Sequence, residues 1–171
     1  FFKNKWDYFL DVCLLVHHKI FDLIIQAFNQ LSWPLKIVGI GPEWGNLKRI
    51  VHSPKIEMMG FVPDDQLRQL YTEARALIFP QEEDFGLVAI EAQACGTPTI
   101  ALAQGGAIET VEENKTGVFF RDQSCDALVG ALIKFVRNEN DFQRETIAKQ
   151  VRRFSLQNFK NVINSTVLSL C

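Results

Sequence analysis

Short apolar runs alternate with amphipathic stretches along the whole chain. Apolar runs that end at turn residues predict strands, and they cover residues 7–16, 35–39, 56–59, 76–79, 97–102 and 117–120. Between and after these runs, apolar residues recur at helical spacing. Helices are therefore predicted at residues 20–29, 47–51, 65–73 and 87–94, then as a short turn ending at 111, and finally at 125–136, 141–153 and 157–168.

This alternation of strands and helices indicates the fold class. Strands joined by helices through short polar connections form parallel sheets with helices on both faces. We therefore expect an α/β protein in which residues 1–171 make a single domain, a doubly wound, Rossmann-like three-layer sandwich with a six-stranded parallel sheet. Asp64, just before the helix at 65–73, is the predicted N-cap of that helix.

One acidic stretch lies where a ligand site is expected. Residues 80–96, PQEEDFGLVAIEAQACG, follow the strand at 76–79 and place Glu83 and Glu91 on either side of the step Phe85-Gly86. Ligands of open α/β sheets bind at the carboxyl ends of strands, where the next helix presents unpaired N–H groups. A continuous helix from Glu83 to Glu91 would span roughly 12 Å, whereas the two carboxylates of a glycosidase lie about 5 to 9.5 Å apart. The spacing therefore favours a long polar ligand, such as a nucleotide sugar.

The same stretch carries a family resemblance. Residues 83–91, EDFGLVAIE, followed by AQACGTP, resemble the E-x7-E signature of the retaining GT-B glycosyltransferases of family 4, the glycosyl transferases group 1. Further matching segments follow in the family's order: GIGP at 39–42, GFV at 60–62, Gly105-Gly106 with Glu109, and TGV at 116–118. Over nearly its whole length, the chain is similar to the carboxyl-terminal, donor-binding half of such an enzyme.

The resemblance implies roles for three residues of the site. Glu91 would accept hydrogen bonds from the ribose hydroxyls of a nucleoside-diphosphate sugar, since a carboxylate can accept two bonds from a diol. Glu83 would lie beside the transferred sugar, and Lys19 would neutralise the departing diphosphate. The implied reaction is a retaining hexosyl transfer in which Glu83 and Lys19 are the catalytic residues and no metal ion takes part.

A wider donor-binding surface is implied by the same resemblance. It combines the amides at the start of the helix after the acidic stretch, the loops after the second and third strands, and the Gly-Gly loop. Its residues are Phe85, Gly86, Leu87, Gly39, Gly41, Phe61, Val62, Gly105 and Gly106.

Each of these residues also has an ordinary structural interpretation. Glu91 is alternatively a solvent-facing helical glutamate, and Glu83 one residue of an acidic first helical turn. The segments Gly39-Ile40-Gly41 and Gly105-Gly106 are alternatively plain turns, and Phe61 a hydrophobic staple. Because three adjacent carboxylates repel a diphosphate, its phosphates would have to be bound by helix amides and by cations elsewhere.

The chain departs from the family pattern at one cation. Active members carry an arginine five residues before the lysine that corresponds to Lys19, and this position is Leu14 here, preceded by Cys13 instead of glycine. Losing a guanidinium that binds developing negative charge typically costs several kcal/mol of transition-state stabilisation. A degenerate, non-catalytic nucleotide-binding or interaction domain is therefore the alternative function. A third interpretation, an unrelated doubly wound nucleotide-binding enzyme, requires the ordered matches to be chance.

Composition narrows the possible partners. Of the 171 residues, 47% are hydrophobic and 22% charged, as in ordinary globular domains. The formal net charge of -2 argues against a nucleic-acid partner, which would favour a basic surface. The scattered cysteines and histidines have no disulfide or metal-ligand spacing, so no metal site is predicted. No apolar run reaches the length of a membrane span, and the amino terminus lacks the layout of a signal peptide.

The resemblance also implies a setting. The chain begins at FFKNKW without an initiator Met, so we expect a fragment that lacks an amino-terminal acceptor-binding domain and transfers nothing alone. The expected partners are a nucleotide-sugar donor, that missing domain, and a saccharide or lipid-linked saccharide acceptor in polysaccharide or lipopolysaccharide synthesis. Mannose and glucose are reasonable donor sugars, and the expected location is the cytoplasm or the inner face of a membrane. The last helix should pack toward the missing half, with exposed apolar surface near residues 154–159.

Overall fold

The computed structural model describes residues 8–16 and 20–169. The strands are β1 (Tyr8–Val12), β2 (Leu35–Val38), β3 (Ile56–Gly60), β4 (Ala74–Phe79), β5 (Thr99–Leu102) and β6 (Gly117–Phe120). The α-helices are α1 (Phe21–Leu31), α2 (Trp44–Ile50), α3 (Asp64–Glu73), α4 (Leu87–Ala94), α5 (Ala107–Thr110), α6 (Cys125–Arg137), α7 (Arg144–Gln150) and α8 (Leu156–Ser169). Short 3₁₀ helices at Glu139–Asp141 and Val151–Phe154 flank α7.

The six strands form one parallel sheet in the order β3-β2-β1-β4-β5-β6. The central strand β1 pairs with β2 on one side and with β4 on the other. The order therefore reverses between β1 and β4, so the connections that follow these two strands leave in opposite directions and a crevice opens between them. The predicted doubly wound, six-stranded parallel sheet is confirmed.

Two apolar cores cover the two faces of the sheet. On one face, α1, α2 and α6 pack around Phe9, whose ring lies 5.4 Å from the ring of Phe28 and 6.1 Å from that of Phe135. On the other face, α3, α4 and α5 pack against Leu10 and Leu77. Strands covered on both faces carry nearly continuous apolar sequence instead of an alternating pattern. This arrangement is the predicted three-layer sandwich.

The first strand is shorter than its apolar run. The prediction covered residues 7–16, but β1 ends at Val12. Beyond it the chain still follows β2, because the N–H of Cys13 donates to the carbonyl of Val38 at 3.0 Å and that of Leu15 to the carbonyl of Ile40 at 2.9 Å. Gly39, at a φ of 145°, interrupts the regular ladder between these two bonds. The apolar run thus continues along the sheet without strand geometry.

Two helix predictions need correction. Asp64 is not the N-cap of α3, since Pro63 occupies that position. Asp64 lies in the first helical turn, where its negative charge interacts favourably with the positive end of the helix dipole. The helix predicted at 141–153 is also interrupted. Phe142 has extended backbone, with a ψ of 92°, and its side chain is buried. Turning this ring into the core separates the first 3₁₀ helix from α7.

The last helix, α8, presents apolar side chains to solvent. The exposed apolar residues on it are Leu156, Phe159, Val162, Ile163, Val167 and Leu168. Their spacing of three and four residues gathers most of them along one side of the helix. The exposed apolar surface expected near residues 154–159 is present and extends along α8. None of the helices in the described ranges is long and apolar enough to cross a membrane.

Candidate functional site

A cleft of about 350 Å³ opens at the carboxyl ends of β1 and β4, where the strand order reverses. One wall is the loop after β1, which contributes Cys13 and Leu14. The other wall is formed by the loop after β4 and the first turn of α4. The predicted donor-binding residues that line the cleft are Glu83, Phe85, Gly86 and Leu87. These four predicted residues therefore lie together on one wall of the cleft, and their contact with a donor stays a prediction.

The acidic loop, residues 81–86, is held in place by the Gly-Gly loop after β5. The N–H of Gly106 donates to the carbonyl of Glu83 at 2.7 Å. A Cβ on Gly105 would lie 2.5 Å from that carbonyl oxygen, and one on Gly106 would lie 2.5 Å from the Cα of Phe85. Real Cβ atoms essentially never approach other atoms so closely. Both glycines are therefore required for the packing of the two loops, whether or not they also approach a donor.

A second depression, of about 600 Å³, adjoins the cleft and shares Glu83 and Asp84 with it. Its lining residues are Glu82, Glu83, Asp84, Gly105, Gly106, Ile108 and Glu109. Four carboxylates line this depression, and no lysine or arginine is among its described lining residues. Its electrostatic potential is therefore negative, which disfavours a phosphate group at this place.

Gly86 makes the turn from the acidic loop into α4. Its φ is 78°, and a Cβ there would lie 2.8 Å from the ring of Phe79. Only glycine adopts this backbone conformation without strain and also leaves room for the ring. The helix that starts at Leu87 has no preceding turn to accept its first N–H groups. Gly86, Leu87 and Val88 line the cleft, so the positive end of the α4 dipole lies at its wall. Phosphate binding by these amides stays a prediction.

Glu83 lies in the acidic loop, four residues before α4, and is half-buried. The alternative interpretation, an acidic first helical turn, is wrong, since the first turn of α4 contains no acidic residue. The spacing from Glu83 to Glu91 is accordingly part loop and part helix, so the span of roughly 12 Å for a continuous helix does not apply. The spacing alone therefore does not argue against a glycosidase pair.

Glu91 is held by a buried tyrosine of the neighbouring helix. The Tyr71 hydroxyl, on α3, donates to the Glu91 carboxylate at 3.1 Å. Glu91 lies one helical turn beyond Leu87 and Val88, which line the cleft, and on the same face of α4. Burial, and after it the negative charge of Glu91, raises the pKa of Tyr71 far above its ordinary value. The hydroxyl therefore remains a hydrogen-bond donor. Glu91 is exposed on α4, as the alternative interpretation has it, but its carboxylate also accepts this bond from Tyr71.

Sequence reasoning missed Tyr71. Its ring belongs to the apolar face of α3 together with Leu67 and Leu70, so the hydrophobic pattern marks it only as a core residue. The direction of its hydroxyl depends on how α3 packs against α4. A tyrosine instead of phenylalanine at a buried helical position was the one available signal, because a buried hydroxyl requires a partner.

Gly39 and Gly41 have a steric role at the base of the site. A Cβ on Gly39 would lie 1.8 Å from the carbonyl oxygen of Cys13, and one on Gly41 would lie 2.1 Å from that of Leu15. These glycines let the loop after β2 pack directly against the loop after β1, which forms a wall of the cleft. Contact of Gly39 and Gly41 with a donor stays a prediction.

Phe61 and Val62 follow β3 at the same edge of the sheet and differ in burial. Val62 is buried in the core beneath α3, whereas the side chain of Phe61 is 73% exposed. A hydrophobic staple would bury Phe61 against its helix, so that interpretation is not supported. Phe61 instead offers an open aromatic face at the carboxyl edge of the strands.

An apolar residue, Leu14, lies on the cleft wall where the resemblance led us to expect a cation. Leu14 is 58% exposed and lines the cleft, so an apolar side chain occupies the wall where the family carries arginine. The described residues that line the cleft include no lysine or arginine. Lys19, the predicted catalytic cation, lies outside the described residues, as do His17 and His18. Its role stays a prediction.

An aromatic contact connects the acidic loop to the 3₁₀ helix at Val151–Phe154, which precedes α8. The ring of Phe85 meets that of Phe154 edge-on, with centroids 5.6 Å apart. The guanidinium of Arg153 lies 4.7 Å from the centre of the Phe154 ring and donates to the carbonyl of Glu109 at 2.7 Å. The 3₁₀ helix before α8 thereby contacts both the acidic loop and α5, which line the acidic depression.

No group of three or more His, Cys, Asp or Glu side chains within the described ranges could hold a metal ion. The absence of a metal from the reaction was an expectation from the sequence, and it stays a prediction.

Comparison with known proteins identifies the family. The family described as glycosyl transferases group 1 matches residues 2–154. A D-inositol 3-phosphate glycosyltransferase of Mycobacteroides abscessus is 31% identical over 140 residues, which cover 74% of this chain and 31% of that protein. A GDP-mannose-dependent alpha-(1-6)-phosphatidylinositol monomannoside mannosyltransferase of Mycobacterium tuberculosis is 31% identical over 144 residues, covering 73% of this chain and 37% of that one.

Solved structures agree with this result. Sucrose-phosphate synthase of Thermosynechococcus elongatus superposes with a TM-score of 0.82 at 25% identity, over 95% of this chain and 45% of that one. Anabaena HepE, solved in complex with UDP and glucose, superposes with a TM-score of 0.80 at 21% identity, over 95% of this chain and 48% of that one, which shows the fold alone. The chain thus spans less than half the length of each of these proteins. It has the GT-B type of Rossmann-like fold and belongs to the group 1 glycosyltransferase family.

Proposed function

We propose that the chain is the donor-binding domain of a retaining, hexosyltransferase-like glycosyltransferase. In this proposal residues 1–171 form one domain that binds a nucleoside-diphosphate sugar, a separate amino-terminal domain supplies the acceptor site, and this chain alone binds donor without transferring sugar. One observation carries the proposal. The Glu91 carboxylate is held by Tyr71 on the face of α4 that continues from the cleft at the strand-order reversal.

The arrangement of the cleft suits the three parts of such a donor. Glu91 accepts hydrogen bonds from the ribose hydroxyls, and the first-turn amides of α4 bind the diphosphate beside them. The base extends toward Phe61 and the backbone of Val62 at the end of β3. Glu83, in the acidic loop across the cleft, lies by the sugar, where its carboxylate accepts hydroxyl hydrogen bonds.

In this proposal the diphosphate lies close to α4. The carboxylates of the acidic loop repel phosphate, and Leu14 contributes no charge. The negative charge that develops as the sugar–phosphate bond breaks is therefore stabilised by the α4 amides and by Lys19. The proposed reaction needs no metal ion, because these groups carry that stabilisation.

Names of relatives support the donor class. A mannosyltransferase similar to this chain is named as GDP-mannose-dependent, and a structure similar in fold is described as a complex with UDP and glucose. GDP and UDP sugars are accordingly the first donors to test. The proposed acceptor is a saccharide or lipid-linked saccharide in polysaccharide or lipopolysaccharide synthesis. The proposed location is the cytoplasm, with peripheral contact to the inner membrane face where the acceptor carries lipid.

A second candidate function is supported by Leu14. A non-catalytic nucleotide-binding or interaction domain would keep the fold and both glutamates while lacking the cation that turnover requires. The exposed Leu14 side chain on the cleft wall is the observation that favours it.

Isothermal titration of the 171-residue chain with UDP, GDP, UDP-glucose and GDP-mannose tests both candidates. One nucleotide and its sugar conjugate should bind. Glu91→Ala should weaken that binding by about tenfold or more, because a charged acceptor for the ribose hydroxyls is lost. Leu14→Arg should strengthen it by adding a cation beside the diphosphate. Glu145→Ala, which removes an exposed carboxylate from α7, is the matched control and should leave the affinity unchanged.

The outcomes separate a donor site from an interaction domain that binds no nucleotide. Binding that responds to Glu91 and Leu14 as stated supports a donor site. Failure of every nucleotide to bind, even in the Leu14→Arg variant, would refute the donor site and favour the interaction domain. Binding that Glu91→Ala and Glu145→Ala weaken equally would refute the placement of the ribose at Glu91.

A further inference from the structure

The contact between Tyr71 and Glu91 joins a fixed residue to a solvent-exposed one. Tyr71 is 3% exposed and packs in the core between the sheet and helices α3 and α4. Its backbone is fixed as well, because its carbonyl accepts hydrogen bonds from the N–H of Ala74 and from the hydroxyl of Thr97. The phenol therefore has one direction available, and that direction ends at the Glu91 carboxylate 3.1 Å away.

Glu91 has no comparable constraint of its own. It is exposed on α4, and an exposed glutamate is distributed over several rotamers that binding would have to restrict. A hydrogen bond from a rigid donor removes that cost before the ligand arrives. The bond is one-directional, since the buried phenol retains its proton and a carboxylate only accepts.

The contact also leaves the right number of acceptor positions. A carboxylate has about four lone-pair positions, and Tyr71 uses one of them on Oε2. Oε1 and a second lone pair of Oε2 remain as acceptors on an exposed side chain. Two acceptors on one carboxylate edge match two adjacent hydroxyls of a ligand, as in the 2′,3′-diol of a ribose.

We infer that Tyr71 is a positioning residue that sets Glu91 for recognition of a vicinal diol, so that the site discriminates ribonucleotides from their dideoxy counterparts. The inference rests on the proposed function and assigns its specificity for ribose to a side chain outside the cleft. Tyr71 acts only through Glu91 and does not touch the ligand.

Tyr71→Phe is the matching variant, because it removes the hydroxyl and keeps the ring. Tyr8→Phe is the control. The Tyr8 hydroxyl is also buried and donates to the carbonyl of Leu70 at 3.0 Å, on the same helix α3 but without contact to Glu91. Each variant loses one buried hydroxyl bond, so a general loosening of α3 should affect both.

The assay is titration of UDP and GDP, and of their 2′,3′-dideoxy counterparts, into the unaltered chain and each variant. The unaltered chain should favour one ribonucleotide over its dideoxy form. Tyr71→Phe should weaken the ribonucleotide by about fivefold to tenfold and leave the dideoxy form unchanged, so that discrimination shrinks. Tyr8→Phe should change neither. In a Glu91→Ala background, Tyr71→Phe should have no further effect on affinity, because the residue through which it acts is gone.

The possible results decide the inference without ambiguity. If Tyr71→Phe weakens ribose and dideoxy forms alike, or no more than Tyr8→Phe does, Tyr71 is only structural and the inference falls while the proposed function stands. If the unaltered chain binds no nucleotide, the proposed function and the inference fall together. A crystal structure of unliganded Tyr71→Phe adds a check independent of ligand, since a Glu91 carboxylate that stays in place without the hydroxyl would also overturn the inference.

Discussion

Replacing Gly106 by alanine should displace the acidic loop and weaken the site. Gly106 has ordinary helical backbone angles, with a φ of -64° and a ψ of -14°, so alanine meets no conformational penalty there. The steric effect is separate. The new Cβ would lie 2.5 Å from the Cα of Phe85 and 2.6 Å from the carbonyl oxygen of Asp84.

The expected magnitude follows from these contacts. Ordinary contact begins at 3.4 Å, so the acidic loop must retreat by about 0.9 Å, against a cost for overpacking of about 1–3 kcal/mol. Alanine also lowers the conformational entropy of the unfolded chain, which offsets about 0.4–1 kcal/mol of this destabilisation. A net loss of about 1 kcal/mol should lower Tm by about 2–4 °C in a chain of this size. Displacing a binding group by about 1 Å can cost far more in function than in stability, up to about a hundredfold.

Gly130→Ala isolates the steric effect. Gly130 lies in α6, exposed, and a Cβ there would meet nothing within 4 Å. The same substitution should therefore raise stability by about 0.5–1 kcal/mol. Thermal unfolding and nucleotide titration of both variants make the comparison. Should Gly106→Ala melt as high as Gly130→Ala and bind nucleotide as well as the unaltered chain, the packing of the acidic loop on the Gly-Gly loop would be refuted.

Two further predictions concern stability. The pKa of Tyr71 is raised above its ordinary value of 10.0 by burial and then by the charge of Glu91. Above pH 10 the unfolded chain therefore loses a proton that the native chain keeps, and stability should fall by up to about 1.4 kcal/mol per pH unit. Urea unfolding between pH 9 and 11 should show a smaller decline for Tyr71→Phe, and an equal decline would contradict the reasoning. Arg75 is paired with Glu139 through two hydrogen bonds of 3.0 and 2.5 Å, and both side chains are about four-fifths buried. Arg75→Met should lower the free energy of unfolding measured in urea by about 1–2 kcal/mol. It should leave nucleotide affinity unchanged, because Arg75 lies at the amino end of β4, away from the cleft. A change in affinity would show that the site extends to that end of the strand.

The strands could be predicted from the sequence because each is buried on both faces and so forms an apolar run. The end of β1 could not, since residues 13–16 are as apolar as the strand and the ladder is interrupted by Gly39 on the neighbouring loop. The N-cap of α3 was misassigned for a local reason. An aspartate favours both the cap position and the first turn of a helix, so the pattern does not separate them.

The site residues could be predicted where they belong to a sequence motif. They could not be predicted where their role depends on the packing of distant elements. Glu83 and the turn at Gly86 follow from the acidic stretch and its place after a strand. Tyr71 on α3 contacts Glu91 on the neighbouring helix α4, 20 residues later in the sequence. The steric role of Gly106 depends on a loop some 20 residues earlier in the chain. Such contacts depend on how the elements pack, which periodicity and spacing do not encode.

The glycines of the loops after β2 and β5 have a consequence for how the sequence can change. Side chains at Gly39, Gly41, Gly105 or Gly106 would collide with backbone atoms of the chain itself, so a descendant that had lost turnover would still need all four to fold. We therefore expect these glycines to be needed for folding whether or not a chain is catalytic. The position of Leu14 is different, because its side chain is 58% exposed and packing scarcely constrains its identity. Among homologues, this position should therefore vary with catalytic competence, while the glycines persist in active and inactive members alike.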